Sequence, residues 1–255
     1  MGGICLDDKY DLRLLSLGAG VQSTCVYLEA LGRGKIPIHR VSAGNLRQDV
    51  LDALDKRKSR IGQPPFYVKN LDTQEGMDKD DGGMLWRICT KEYKIEPIQK
   101  EIRRLLGYRK GQRIKKRVQQ WFGISIDEAS RMKDSRVKWI DNYYPLIERR
   151  MSREDCVRWM NKRGIDCPRK SACVGCPYHS NSTWVDMKKN RPAEWADVTS
   201  FDAALRVDGK RLPGVTGEAY IHRRMLPLEE AVVAAGFDPN QIDLFDQECE
   251  GMCGV

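Results

Sequence analysis

The chain has 255 residues and a formal charge of +8, with 44 lysines and arginines against 36 aspartates and glutamates and a pI near 9.0. That length predicts one large domain, or a domain plus a subdomain, and the basic balance favours a polyanionic partner. No stretch reads as a signal peptide or spanning helix, so the expectation is a soluble, cytoplasmic protein with no membrane partner. In that compartment nine cysteines, an odd number, argue against a disulfide framework and for metal binding or catalysis.

In chain order, Asp11 to Ser16 reads as a short buried strand through Leu12, Leu14 and Leu15. It runs into a glycine-bearing turn, Leu17 to Thr24, and then a helical pattern at Val26, Leu28, Ala30 and Leu31. Strand, glycine turn and helix can cradle a phosphate, because backbone N–H groups and the helix N-terminus converge on an anion. The turn is neither a Walker loop nor a G-x-G-x-x-G, and a simple tight turn is the alternative. A second strand is expected over Ile36–Ser42, a helix over Gln48–Arg60, a strand entry at Pro64–Lys69 and a loop over Asp72–Gly83. A helix follows over Arg87–Leu106, with a start or kink at Pro97. The basic run from Arg103 to Arg117 is either a solvated helix end or a phosphate-tracking patch. Val118–Ile124 is a strand, and Ser152–Asp155 is a capping-box variant opening a helix through Met160.

Alternating strands and helices imply an α/β fold: a Rossmann-like parallel sheet with helices on both faces over 1–145. Residues 146–255 are expected to form a small, mostly helical, cysteine-bearing subdomain and tail. Within it Cys173 and Cys176 share one tight turn, with Gly175 between them and Pro177 behind. That spacing suits a metal, an iron–sulfur cluster or a redox disulfide. Cys25 and Cys156 lie in helix-like runs and read as core. His39 and His222 read as structural, whereas His179 is expected to bond near the cysteine turn; Trp159, Trp184 and Trp195 read as packing residues.

Six segments then line up in order: Ser16–Thr24, Arg87–Pro97, Gly123–Arg131, Tyr144–Val157, Ser171–Pro177 and Glu248–Gly251. Together they resemble the phosphoadenylylsulfate (PAPS) reductase branch of the PP-loop ATP pyrophosphatase superfamily, also called adenine nucleotide alpha hydrolase-like. That branch includes DNA phosphorothioation and tRNA thiolation relatives. Gly18, Val21 and Gln22 replace the family's usual Ser, Lys and Asp, and Ser42–Asn45 stands where Asp-Thr-Gly is common. The resemblance implies that Ser16, Gly18, Ala19, Gly20, Gln22, Ser23 and Thr24, with Lys91 and Lys94, bind ATP with Mg²⁺. It gives Asp127, Glu128 and Arg131 a role in orienting substrate or Mg²⁺, and Cys249 that of the tail nucleophile. It nominates Cys89, Cys173 and Cys176 as ligands of a 4Fe–4S cluster, with Cys253, Cys249, Cys167 or an open site as the fourth position. Structural Zn²⁺ is the alternative, since thiolates suit both.

The function so implied is an ATP-dependent sulfur transferase that adenylates and thiolates DNA or tRNA, with a cysteine desulfurase as donor. The alternative is a PAPS or adenylylsulfate reductase using Cys249, with thioredoxin as its partner. A second alternative is a non-catalytic nucleic-acid-binding member of the fold. A homodimer is compatible with any of the three.

Overall fold

The computed structural model describes residues 9–18, 20–32, 37–70, 82–168 and 172–234. In chain order its elements are β1 (Leu12–Leu15), α1 (Val21–Leu31), α2 (Leu46–Leu54), β2 (Tyr67–Lys69), β3 (Gly82–Met84), a π-helical turn (Lys91–Ile95) and α3 (Glu96–Leu105). There follow β4 (Val118–Trp121), a 3-10 helix (Ile126–Arg131), β5 (Ile140–Tyr143), α4 (Pro145–Glu148), α5 (Arg153–Asn161) and α6 (Asn181–Asn190). The last elements are α7 (Pro192–Ala204), a 3-10 turn (Val207–Gly209), β6 (Glu218–Tyr220) and α8 (Leu228–Ala234).

These elements fall into two compact units that are interleaved along the chain. The first takes described residues within 9–42 and 94–168, the second those within 43–93 and 172–234. The boundary expected near residue 145 therefore falls inside the first unit.

The first unit is a mixed α/β body around a three-stranded parallel sheet of order β1-β4-β5. Leu12 pairs with Val118 and Leu15 with Trp121, and Val118 in turn pairs with Ile140. Successive strand residues point to opposite faces, and the two faces hold separate cores. Leu12, Leu14, Val118 and Ile140 pack with Ile98 and Ile102 of α3, whereas Leu15, Trp121 and Tyr143 pack with α1, α4 and α5. The period of each helix makes this work: Val21 and Cys25 in α1, and Cys156 and Met160 in α5, lie four apart and are buried. Burying a side chain as fully as Leu146 or Met160 stabilises the fold by about 1.5–3 kcal/mol. Helix α5 starts where expected: Ser152 Oγ accepts the Asp155 N–H, and the Asp155 carboxylate accepts the Ser152 N–H at 2.8 Å.

The second unit contains an antiparallel sheet of order β3-β2-β6, with Val68 opposite both Gly83 and Ala219. Phe66, Trp184, Met187, Phe201, Leu205, Ile221 and Leu228 form its core, with Trp195 also buried. Strand β6 interrupts a region expected to be mostly helical.

Several expected elements differ, and the strand expected over Val118–Ile124 ends at Trp121. Residues 37–42 carry no strand: Pro37 lacks a donor, and Ile38 is 67 % exposed rather than buried against a sheet. Helix α2 ends at Leu54 instead of reaching Arg60, because Lys56 adopts φ 59° and breaks the helical run. Pro97 has the predicted effect, since a π-helical turn gives way to α3 one residue before it. The loop expected over Asp72–Gly83 lies outside the described residues up to 81, and Gly82 and Gly83 belong to β3. Among the described residues no helix is long and apolar enough to cross a membrane.

Candidate functional site

Strand β1 ends at Leu15, and the ladder continues one residue further as the Ser16 N–H donates to the Trp121 carbonyl at 3.0 Å. The Gln120 amide donates to Ser16 Oγ at 2.6 Å, fixing that hydroxyl at the carboxyl edge of the sheet. Gly18 and Gly20 carry the chain round to α1; Ala19 lies outside the described residues. Gly20 is the extended N-cap of α1, no side chain caps the helix, and its first turn holds no acidic residue. The first N–H groups of a helix have no partner within it, so this start presents donors and a positive dipole end. Thr24 N–H and Ser23 Oγ both return to the Gly20 carbonyl, at 3.0 and 3.2 Å, which closes the turn.

The loop after β4 presses against this turn. A Cβ on Gly123 would lie 2.4 Å from Ser23 N and 2.6 Å from Ser23 Cα, so only glycine permits the approach. The 3-10 helix that follows carries Asp127, Glu128 and Arg131. The Gln22 amide, buried in the first turn of α1, donates to Glu128 Oε2 at 3.2 Å and to Ser125 Oγ at 3.5 Å. Arg131 Nη1 donates to Glu128 Oε1 at 2.6 Å, so one buried carboxylate bridges Gln22 and Arg131. The Arg131 side chain is only 10 % exposed, and its Nε and Nη2 atoms are buried without a hydrogen-bond partner among the described residues. Buried, charged donors left open are costly, and their charge and geometry suit an anion. Asp127 does different work: its Oδ1 accepts the Arg153 N–H at 3.0 Å and anchors the start of α5.

The cysteine turn lies in the second unit. Cys176 N–H donates to the Cys173 carbonyl at 3.1 Å, and His179 Nε2 donates to the same carbonyl at 2.8 Å. The His179 ring meets Trp184 edge-on at 4.7 Å, tying the turn to the core. Gly175 faces Phe201 so closely that a Cβ would meet its ring at 3.3 Å. Cys173 is exposed and Cys176 half-buried. Cys89, also half-buried, donates its N–H to the Gln63 carbonyl at 3.2 Å. The Arg87 guanidinium sits over the Tyr178 ring at 5.5 Å, two positions from Cys89 and two from Cys176. That contact brings the two cysteine-bearing segments together.

A cavity of about 420 Å³ opens beside Cys173, walled by Asn45, Arg47, Pro64, Val198 and Phe201. Among the described residues no group of three His, Cys, Asp or Glu side chains is placed to hold a metal ion. Cys89, Cys173 and Cys176 carry thiols that suit a cluster or zinc by chemistry, but they are not gathered on one point.

Cys249 and Cys253 lie outside the described residues. Cys167 belongs to the first unit, where its thiol faces Asn161 Oδ1 at 3.7 Å. Lys91 falls in the second unit and Lys94 in the first. Cys25 and Cys156 are wholly buried, His222 is buried and bonds Asn181 at 2.9 Å, and exposed His39 pairs with Glu101 at 3.1 Å.

Of the basic run, three arginines and a lysine are engaged locally. Arg103 donates to the Arg109 and Gln112 carbonyls, Arg104 grips Glu101, Arg117 pairs with Asp141, and Lys116 reaches the Leu106 carbonyl. Arg109, Lys110, Arg113 and Lys115 are exposed on the loop so organised.

Sequence pattern alone assigns no role to Gly123, Ser125 or Gln120. A glycine directly after a strand, and a glutamine inside an apolar strand, are the signals that point to them. Comparisons with protein-family models, curated proteins and solved structures find no match for this chain.

Proposed function

We propose that the first unit is a PP-loop-type, Rossmann-like nucleotide-binding body and that the chain is an ATP-dependent sulfur transferase acting on nucleic acid. One observation carries this reading: the uncapped start of α1 and the open donors of buried Arg131 share the Glu128 bridge at the carboxyl end of a parallel sheet. Ligands of open α/β sheets bind at that end, and phosphates are held by such helix starts.

In this reading the N–H groups of Val21–Ser23 and the Arg131 guanidinium bind phosphate oxygens of ATP. Gln22 and Glu128 hold Arg131 in register, and Ser16 lines the turn. Adenylation of a substrate oxygen releases pyrophosphate and converts oxygen into a leaving group; the terminal sulfur of a cysteine persulfide, loaded by a cysteine desulfurase, then displaces AMP. A second thiol cleaves the S–S bond so formed, leaving the sulfur on the substrate and a disulfide on the protein. Cys173 is exposed beside its cavity in the second unit, and Cys249 is the thiol that the resemblance nominates as nucleophile. Cys89, Cys173 and Cys176 would be the residues to hold a 4Fe–4S cluster, which would supply iron as a binding site for sulfur. The exposed cations Arg109, Lys110, Arg113 and Lys115 support a nucleic-acid partner.

The test is pyrophosphate release from Mg·ATP by anaerobically purified protein, with and without DNA or tRNA. Release that depends on nucleic acid supports the proposal. Sulfite release from PAPS without nucleic acid would replace it with the reductase, and nucleic-acid binding without any nucleotide binding would leave a non-catalytic module.

A further inference from the structure

The antiparallel sheet of the second unit turns one face to the core and one face outward. Val68 and Ala219 are paired in register and buried, so Tyr67, Met84 and Tyr220 share the outer face. At one side of that face the Arg206 guanidinium covers the Tyr220 ring at 4.2 Å. At the β3 side Met84 is 37 % exposed, and Trp86, two positions on, is 86 % exposed. The backbone beneath this indole is fixed. Leu85 packs on the core and donates its N–H to the Phe66 carbonyl at 2.8 Å, and the Ile88 N–H reaches the Trp86 carbonyl at 3.0 Å.

Cations flank the indole. Arg87 follows it directly, with its guanidinium over the Tyr178 ring at 5.5 Å. Lys69 is exposed on the same face as Met84, opposite Gly82. Met225 lies over Gly82, where an added Cβ would run into its Sδ, and this places the neighbouring Arg224, also exposed, at that end of the sheet. The acid on this face, Glu218, accepts the Tyr220 hydroxyl at 2.7 Å.

We propose that Trp86 is a stacking platform for an unpaired base of single-stranded nucleic acid, with Lys69, Arg87 and Arg224 placed beside it for the phosphates. A rigidly held, exposed indole offers its face to any base, and flanking cations follow the backbone of the strand. A protein partner fits less well. One indole and one methionine supply little of the roughly 800 Å² that a stable partner buries on each side, and the cations favour a polyanion. The inference rests on the nucleic-acid reading above. It adds that the strand is single where it meets the second unit, because a base stacked inside a duplex has no face to give.

The experiment titrates labelled single-stranded DNA and RNA of one sequence, and the corresponding duplexes, into the full-length protein, Trp86→Ala, Trp86→Phe and Lys69→Ala across a salt series. Trp86 is exposed, so its replacement leaves the thermal midpoint unchanged, which is checked first. Trp86→Ala should weaken single-strand binding about 5- to 150-fold at an unaltered salt slope, with Trp86→Phe recovering part of the loss and duplex binding untouched. Lys69→Ala should instead lower the slope by about 0.7 for each phosphate no longer neutralised. Equal single-strand affinity of Trp86→Ala and the intact protein would overturn the proposal, leave nucleic-acid-dependent pyrophosphate release standing, and point to a protein as the occupant of this face. Equal losses on single strand and duplex would overturn it too. An intact protein that binds neither form would overturn this inference and the nucleic-acid reading together.

Discussion

Gln22 and Glu128 are hydrogen-bonded at 3.2 Å across 106 positions of sequence, and that contact joins the first turn of α1 to the 3-10 helix carrying Arg131. Glu128 is the hub, since it also pairs with Arg131. Replacing it by alanine strands a buried guanidinium, whereas replacing Gln22 removes one neutral donor from a charged acceptor. Glu128→Ala should lower unfolding free energy by about 3–5 kcal/mol, and Gln22→Ala by about 1.5–3 kcal/mol. Urea denaturation measures both, and equal, small losses would show that the bridge is not structural.

Two glycines separate crowding from backbone conformation. Gly123→Ala forces a methyl into the Ser23 backbone at 2.4 Å and should destabilise the protein by at least about 1–3 kcal/mol while weakening nucleotide binding. Gly107 ends α3 with φ 83° and open space around it, and the Tyr108 N–H returns to the Arg103 carbonyl at 2.9 Å. Gly107→Ala should therefore cost about 1–2 kcal/mol for the left-handed conformation alone, with affinity unchanged. Denaturation midpoints paired with a binding titration separate the two effects.

Features set by neighbouring residues were legible in the sequence: the β1–turn–α1 passage, the Ser152–Asp155 box and the disruption at Pro97. Features set by distant partners were not. Strand β6 is only Glu218–Tyr220, and its place comes from pairing with Tyr67–Lys69, some 150 positions earlier in the chain, a contact that local pattern cannot show. Ile36–Ser42 has strand-like composition, yet Ile38 finds no sheet to cover it. The interleaving of the two units has the same origin, because residues 43–93 share a core with residues after 172. Motif resemblance points to Glu128 and Arg131, whereas the open donors of Arg131 exist only in three dimensions.

The capping box makes an acid-side prediction. The Asp155 carboxyl is held well below its ordinary value of 3.8, first by the Ser152 side chain, then by the Ser152 backbone and by Arg158. A carboxylate with a depressed folded-state pKa contributes stability that is present above its unfolded value and is lost as pH falls through the folded one. Asp155→Asn should flatten the decline of the thermal midpoint between about pH 4 and the acid limit of folding. An unchanged acid profile in that variant would contradict the assignment.

Among the basic residues, those engaged locally and those left exposed should behave differently toward nucleic acid. Substituting Arg109, Lys110 or Arg113 by alanine should reduce the slope of log K against log salt by about 0.7–0.9 for each phosphate that is no longer neutralised. Arg104→Ala, which breaks the grip on Glu101, should leave the slope unaltered. Filter binding across a salt series reads this, and equal slopes for all variants would mean that the run is only a solvated surface.

In the proposed function, α1 and Arg131 hold the phosphates of a nucleotide. Calorimetric titration of Mg·ATP into the intact protein and into Arg131→Met tests it most directly. Saturable binding is expected for the intact protein, with an affinity about 10- to 100-fold weaker in the variant, the loss expected for charge-assisted hydrogen bonds. Binding of equal strength in both proteins, or none in either, would contradict it.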